Sequence, residues 1–451
     1  MEEHKNQSAD RPSKFGTWLR NSISARLLVV GFLLLILLIP LESVKSLIRE
    51  RAMRQEKVTE EINQKWGKET IISGLILKIP YNTYKEIRIY DENEKKYLIK
   101  KEVNVKNAYF FPENLKITSN VETKPLNRSI YESVVFTSNV HVEGNFPEFD
   151  SIKLKVSAKD MLWDKARVLL KTSNIKGIRN LMQVEIGQKK LEMEPGTDYK
   201  NTLQSEPIQK FGEKYKNPLA FSFDVKMNGS KSLMFVPLGK ETSVEMNSNW
   251  HSPSFDGNFL PKSRKISADG FQASWEVFQL NRSFAQSYFG ELPDLTEYAL
   301  GTNFIVPVDE YQKTARTAKY GFMVIGLTLL VFLLIQLVSK IYIHPFQYAM
   351  IGLALVMFYT LLLSISEHST FLSAYLIAAI SVLTLIGLYS GTILKRKKFP
   401  LLICGSLATL YTFIYVIIQL EDYALLVGSI GLFLILAVIM FVSRKIDWDL
   451  E

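Results

Sequence analysis

Cysteine is nearly absent: Cys404 is the only one in 451 residues. No intramolecular disulfide can form, and no cysteine-based metal site can be built. Histidine is scarce too. His4, His141, His251, His344 and His368 are scattered, and no spacing among them favours the roughly three protein ligands that a zinc site converges. A phosphate-cradling loop is also missing. "LGKETS" at Leu238–Ser243 has a Gly-Lys pair but lacks the upstream glycine and a Ser/Thr directly after the lysine. There is no His-Glu-x-x-His helix and no G-x-S-x-G elbow. These gaps point away from a self-contained enzyme; the expectation is no cofactor, no metal, and no catalytic residue.

What the chain has in quantity is apolar residues, 47% of the total. They are unevenly spread. From about Glu42 to Lys319 the sequence is mixed and charged; from Tyr320 to Val442 it is almost continuously apolar. A membrane span needs about 20 apolar residues to cross a hydrocarbon core of about 30 Å. The first run, "LLVVGFLLLILLIP", is followed by "LESVKSLIRE" without a small-x-small cleavage site, so it reads as an uncleaved anchor over residues 22–44. Five further runs follow, at about Tyr320–Lys340, Phe346–Ser366, Phe371–Leu394, Phe399–Gln419 and Tyr423–Val442. Away from their ends they contain no Asp, Glu, Lys or Arg. Proton and ion pathways use such residues at depth, so a pump or transporter is disfavoured.

The net charge of +9 is explained by topology rather than by nucleic acid, since no basic–aromatic recognition element accompanies it. Lys5, Arg11, Lys14, Arg20 and Arg26 precede the first run, Lys340 follows the second, "KRKK" at Lys395–Lys398 follows the fourth, and Arg444 and Lys445 follow the last. The opposite short connections, "EHST" and "QLED", have no Lys or Arg. Basic residues collect in cytoplasmic loops, which places both termini inside and the large polar region outside. Residues 1–21 and 443–451 are then cytoplasmic tails.

Residues 45–66 have helix-forming composition, with Val44, Ile48, Ala52, Thr59, Ile62 and Trp66 on one stripe, and read as a helical stalk. Over residues 67–319 the period changes to two. Ile87 and Ile89 alternate with charge; so do Val134, Phe136, Val140 and Val142, then Ile152, Leu154 and Val156, then Phe221, Phe223, Val225 and Met227, and finally Phe271, Ala273, Trp275 and Val277. Asn, Gly and Pro turns separate these runs, so the region reads as β-rich, either a sandwich or two stacked subdomains. The fold class is therefore a membrane protein with one N-terminal transmembrane helix, a large β-rich extracytoplasmic domain and a C-terminal block of five transmembrane helices at 320–442.

A few residues stand out as functional candidates. Glu367 and His368 interrupt "TLLLSISEHSTFLSAYLI" (Thr360–Ile377) in the turn between the third and fourth spans. A polar turn accounts for them; so does a contact with Lys313, Arg316 or Lys319 on the final approach to the second span. Trp250 and His251 lie in "NSNWHSPSFDGNFLP", where aromatics and prolines favour a packed loop. His344 precedes Pro345 and marks a helix start.

Four stretches together resemble the CreD family of bacterial inner-membrane proteins: "SNWHSPSFDGNFLPKSRKISADGFQASW" (Ser248–Trp275), "VPVDEYQKTARTAKYG" (Val306–Gly321), "HPFQYAMIGLALVMFYTLLLSISEHSTF" (His344–Phe371) and "RKIDW" (Arg444–Trp448). The family often carries Asp-x-Arg-Gly where this chain has "NIKG", Asn174 to Gly177. The resemblance implies a protein of the inner membrane tied to envelope integrity, colicin tolerance and envelope stress, and carries over no catalytic residues. Its partners would be the lipid bilayer and envelope proteins or lipids, not nucleic acid. The rival readings are a lipid or small-molecule receptor or carrier component, and a membrane enzyme acting on envelope polymers.

Overall fold

The computed structural model describes residues 22–91, 96–148, 155–196, 200–209, 211, 218–304, 310–339, 341–394, 398–420 and 423–444. The tails up to residue 21 and from residue 445, Ile152 and Leu154 of an expected strand, Val306–Asp309, and the basic residues Lys340 and Lys395–Lys397 lie outside them.

Seven longer helices are described: α1 (Ile23–Trp66), α2 (Glu310–Lys319), α3 (Gly321–Ser339), α4 (Pro345–Ser366), α5 (Phe371–Ile393), α6 (Lys398–Gln419) and α7 (Ala424–Ser443). Six of them, all but α2, are long and apolar enough to cross a membrane. The chain divides into two compact units. One takes α1 up to Glu56 together with α2 to α7; the other is Lys57–Pro307.

In the helical unit the apolar residues face both ways, as they must where lipid replaces water. Leu37, Leu41, Phe332, Leu355, Phe358 and Leu407 are buried, while Leu28, Ile39, Leu388 and Leu401 are exposed. Small residues permit close helix approach: a Cβ on Gly352 would lie 2.1 Å from Leu37, and one on Gly321 2.7 Å from Leu41. Pro40 sits inside α1. Its neighbour Ser43 donates its hydroxyl to the Ile39 carbonyl at 3.2 Å.

The β unit has sixteen strands: β1 (Thr70–Asp91), β2 (Lys96–Phe110), β3 (Asn114–Arg128), β4 (Tyr131–Phe146), β5 (Arg167–Thr172), β6 (Gln183–Ile186), β7 (Lys189–Pro195), β8 (Thr202–Ser205), β9 (Leu219–Ser230), β10 (Ser232–Val236), β11 (Glu241–Ser248), β12 (Pro253–Gly257), β13 (Ser263–Ser267), β14 (Gly270–Phe278), β15 (Ser287–Phe289) and β16 (Leu300–Phe304). Neighbours follow the order β12-β16-β10-β1-β5-β8-β7-β6-β9-β4-β3-β11-β14-β13, with β2 on β1 and β15 on β2. Two of the pairings are parallel, β1 with β10 and β3 with β11.

In β9 and β14 the alternation read from the sequence is the alternation of burial, whereas Ile87 of β1 is only half-buried and Val135 of β4 is buried beside Val134 and Phe136. Phe221, Phe223, Val225 and Met227 in β9, and Phe271, Ala273, Trp275 and Val277 in β14, all face the core. Leu77 and Ile79 of β1 share one hydrophobic cluster with Val142, Phe223 and Trp275 from the other half of the path. The sequence left a sandwich or two stacked subdomains open; the strands instead form one continuous path around a common core.

Two boundaries differ from the sequence reading. Residues 310–319, placed in the β-rich stretch 67–319, form α2 and group with the helical unit. Their buried residues Tyr311, Thr314, Thr317 and Ala318 recur at helical spacing, a pattern that the surrounding charge obscures. The stretch 45–66 is not a separate element but the second half of α1, and its last residues belong to the β unit.

That end of α1 is fastened to the sheet by polar contacts. The Trp66 indole donates to the Phe136 carbonyl at 3.2 Å, and the Ser133 hydroxyl to Asn63 Oδ1 at 2.7 Å. Arg128 pairs with Glu61 at 2.6 Å and Lys231 with Glu60 at 3.0 Å. The Lys124 ammonium lies 4.3 Å from the centre of the Trp66 ring.

Candidate functional site

Glu367 is the C-cap of α4, just past the last apolar turn. Its side chain is 15% exposed, which for a carboxylate calls for partners. They are Tyr311 of α2, whose hydroxyl donates to Glu367 Oε1 at 3.3 Å, and Arg51 of α1, whose Nε lies 3.6 Å from the same oxygen. Glu367 thus joins three elements of the helical unit: α1, α2 and α4.

The contact with Lys313, Arg316 or Lys319 allowed by the sequence is replaced by this one. Lys313 sits 5.9 Å from the centre of the Phe371 ring, and Arg316 and Lys319 are exposed. On α2 the buried stripe carries Tyr311 toward the bundle. Arg316, five positions on, falls on the outer face. His368 is exposed as well, and its backbone amide makes the turn bond to Ile365 at 3.0 Å. The structure therefore separates the pair: Glu367 is engaged and His368 faces out. In the same turn Ser369 donates to the Ile365 carbonyl at 3.0 Å.

His344 is the N-cap of α4. Its Nδ1 accepts from the Phe346 amide at 3.2 Å, while the Gln347 side chain accepts from the His344 amide at 2.9 Å. With Pro345 next in sequence this is a reciprocal cap, which accounts for the residue. Trp250 donates its indole N–H to the Ser252 carbonyl at 2.9 Å and packs against the β core. The His251 ring lies 5.0 Å from the Trp250 ring and is exposed. Trp250 and His251 thus lie in a short packed connection, but the stretch expected as one loop also contains the end of β11 and strand β12. Among the described residues no group of three or more His, Cys, Asp or Glu is placed to hold a metal ion.

Three features take on roles that the sequence did not show. The first is Arg51, one basic residue among several in a charged helical stretch. The second is the "NIKG" segment. Asn174 is buried, and its amide donates to the Asn228 carbonyl at 2.9 Å, to Thr70 Oγ1 at 3.2 Å and to the Lys68 carbonyl at 3.4 Å. A Cβ at Gly177 would lie 2.2 Å from the Asn228 carbonyl oxygen, and one at Gly67 2.4 Å from it. The segment ties the start of β1 to β9 and has no room for larger residues. Asn228, nominally a glycosylation sequon, is buried in the same place. The third is Arg282, 7% exposed. Its guanidinium donates to the carbonyls of Leu238, Gly239 and Phe284 at 3.1, 2.9 and 3.2 Å and to Gln286 at 2.5 Å. Burial lowers its pKa to about 10, so it is still charged at neutral pH.

Comparison with known proteins gives two matches. The family described as "Inner membrane protein CreD" matches residues 22–449. The chain is also similar to the protein of that description from Escherichia coli (strain K12), with 30% identity over 420 residues, covering 92% of this chain and 91% of the relative.

Proposed function

The chain belongs to the CreD family of inner membrane proteins, and from that premise we propose that it supports cell-envelope integrity and the response to envelope stress without catalysing a reaction. Its β unit acts outside the cytoplasm and is coupled mechanically to the helical block. Both termini are cytoplasmic. The distribution of Lys and Arg among the short loops supports this orientation.

The observation that carries the reading is α1. It is one helix of 44 residues, about 66 Å long at a rise of about 1.5 Å per residue. Leu37, Leu41 and Ile48 are buried in the helical unit, and Ile62 and Asn63 are buried within the β unit. One continuous helix thus contributes side chains to both cores, which is what mechanical coupling requires and a flexible linker would not supply. Its partners on this reading are the bilayer and envelope proteins or lipids.

Breaking the helix tests the reading. Insertion of a flexible Gly-Ser segment between Glu56 and Lys57 should leave expression and membrane insertion unchanged. It should abolish protection against colicin or detergent challenge in a strain that depends on this chain. Full protection by that variant would overturn mechanical coupling as the basis of the function.

A further inference from the structure

The solvent face of the β3-β4-β9-β11-β14 region holds an arrangement that folding does not require. One cross-strand row runs Lys265, Gln272, Asn247, Asn120, Asn139, Lys226, through β13, β14, β11, β3, β4 and β9 in register. Residues directly opposite in register share a face. The sequence neighbours Val121, Val140, Val225, Met246 and Ala273 are buried on the other side, so the row faces solvent. Four side-chain amides stand side by side, with a lysine at each end.

Asparagine is a poor strand former, and solvated strand positions are better filled by Thr or by charged pairs. A parallel row on this face shows the ordinary solution. There Glu276, Ser243, Lys116, Glu143, Ser222 and Glu185 follow in register, with Lys116 and Glu143 paired at 3.0 Å. In the amide row Asn247 donates to Asn120 Oδ1 at 3.3 Å. Among the described residues the side chains of Asn139 and Gln272 make no hydrogen bond. All of the row but Lys226 lines a groove of about 550 Å³ that also takes in Ser267 and the carboxylates of Glu122 and Asp269.

We propose that this amide row binds an extended polyhydroxylated chain, a glycan. Each carboxamide offers one acceptor and two donors, the set that adjacent hydroxyls satisfy, and being neutral it binds without stripping water from a charge. The strands are spaced by about 4.8 Å, so the amides form a ladder whose repeat is close to that of the sugars in an extended β-linked hexose chain. The lysines bound the neutral stretch at both ends. The inference stands on this sheet face and does not depend on the mechanical role proposed above.

The test uses the full chain in lipid nanodiscs, because a sugar-headed detergent would compete. Titration calorimetry with cellohexaose should show saturable binding, and cellobiose should bind at least about tenfold more weakly, a loss of about 1.4 kcal/mol. The double variant Asn139→Val and Asn247→Val removes the hydrogen-bonding groups but keeps strand propensity. Its thermal midpoint should be unchanged or raised while its affinity for cellohexaose falls about tenfold or more. Asn127→Ala, an exposed amide off the row, should bind as the unaltered chain does. Absence of saturable cellohexaose binding, or equal affinity in the double variant, would overturn the proposal.

Discussion

Arg51 reaches Glu367 across a gap of 3.6 Å, from the middle of α1 to the cap of α4. Tyr311 holds the same carboxylate oxygen from a third helix, at 3.3 Å. Removing the charge from Glu367 should therefore loosen α1 and α2 together.

Glu367→Gln and Arg51→Gln should each lower the thermal midpoint in a membrane mimic. In a double-mutant cycle the two should couple by about 0.5–1 kcal/mol, as a partly exposed pair does. His368→Gln should be silent. Coupling between Glu367 and Lys313 or Arg316, with none to Arg51, would contradict the geometry.

At the start of β1 the prediction is larger. Asn174→Ala leaves the Asn228 and Lys68 carbonyls and Thr70 Oγ1 without the amide that now serves them, and should cost about 1–3 kcal/mol. Gly177→Ala should cost a comparable amount, because its Cβ meets backbone that cannot yield. Urea unfolding followed by tryptophan fluorescence reads both. A neutral Asn174→Ala would show that water replaces the amide.

Acid should weaken the β unit. The Gly257 amide and then the Asn303 side chain, each at 2.8 Å, hold the Asp256 carboxyl below its ordinary value. The Thr296 amide does the same for Asp294, Lys116 for Glu143 and Lys231 for Glu60. A carboxyl depressed in the folded state stabilises fully above its unfolded value, and that contribution is lost as pH falls through the folded one. The urea midpoint should hold from pH 7 to about 5 and drop below about pH 4. Asp256→Asn should flatten part of the drop; an unchanged profile would remove Asp256 from the account.

Orientation is checked by labelling. In a Cys404→Ala background, single cysteines at Asn120 or Ser369 should react with an impermeant reagent in intact cells, and one at Lys397 should not. Labelling of Lys397 with none at Ser369 would invert the topology.

What could be read in advance followed local periodicity. The spans and strands β9 and β14 announce themselves because burial alternates with the period of their own backbone. The second half of α1 was visible for the same reason, through Val44, Ile48 and Ile62. The candidate site was legible only in part. Glu367 stood out as an ionisable residue between apolar runs, but Arg51 and Tyr311 are ordinary residues until the helices bring them together. His344 was readable because a cap is a local device. Asn174 and Arg282 were not, since amides and guanidinium groups are usually exposed. What buries them is backbone carbonyls supplied by distant segments, and side-chain patterns do not encode carbonyl positions.

The strand order also bears on how the molecule is made. β1 follows α1 directly, yet its parallel neighbour is β10, with Thr70 beside Leu233, and β10 is itself completed by β16, which ends at Phe304. A chain that emerges from its N-terminus can pair most of β1 with β2 at once, but the first residues of β1, Thr70–Ser73, wait for β10. Non-local pairing of this kind is slow and leaves strand edges open while it waits. The β unit can close only after Phe304 has been made, immediately before the second span arrives. Closure of the β unit and insertion of the helical block are thus consecutive steps of one assembly. A ribosome or translocon stalled between residues 236 and 300 would hold an unclosed sheet, open to chaperones and proteases, on an anchor already in place.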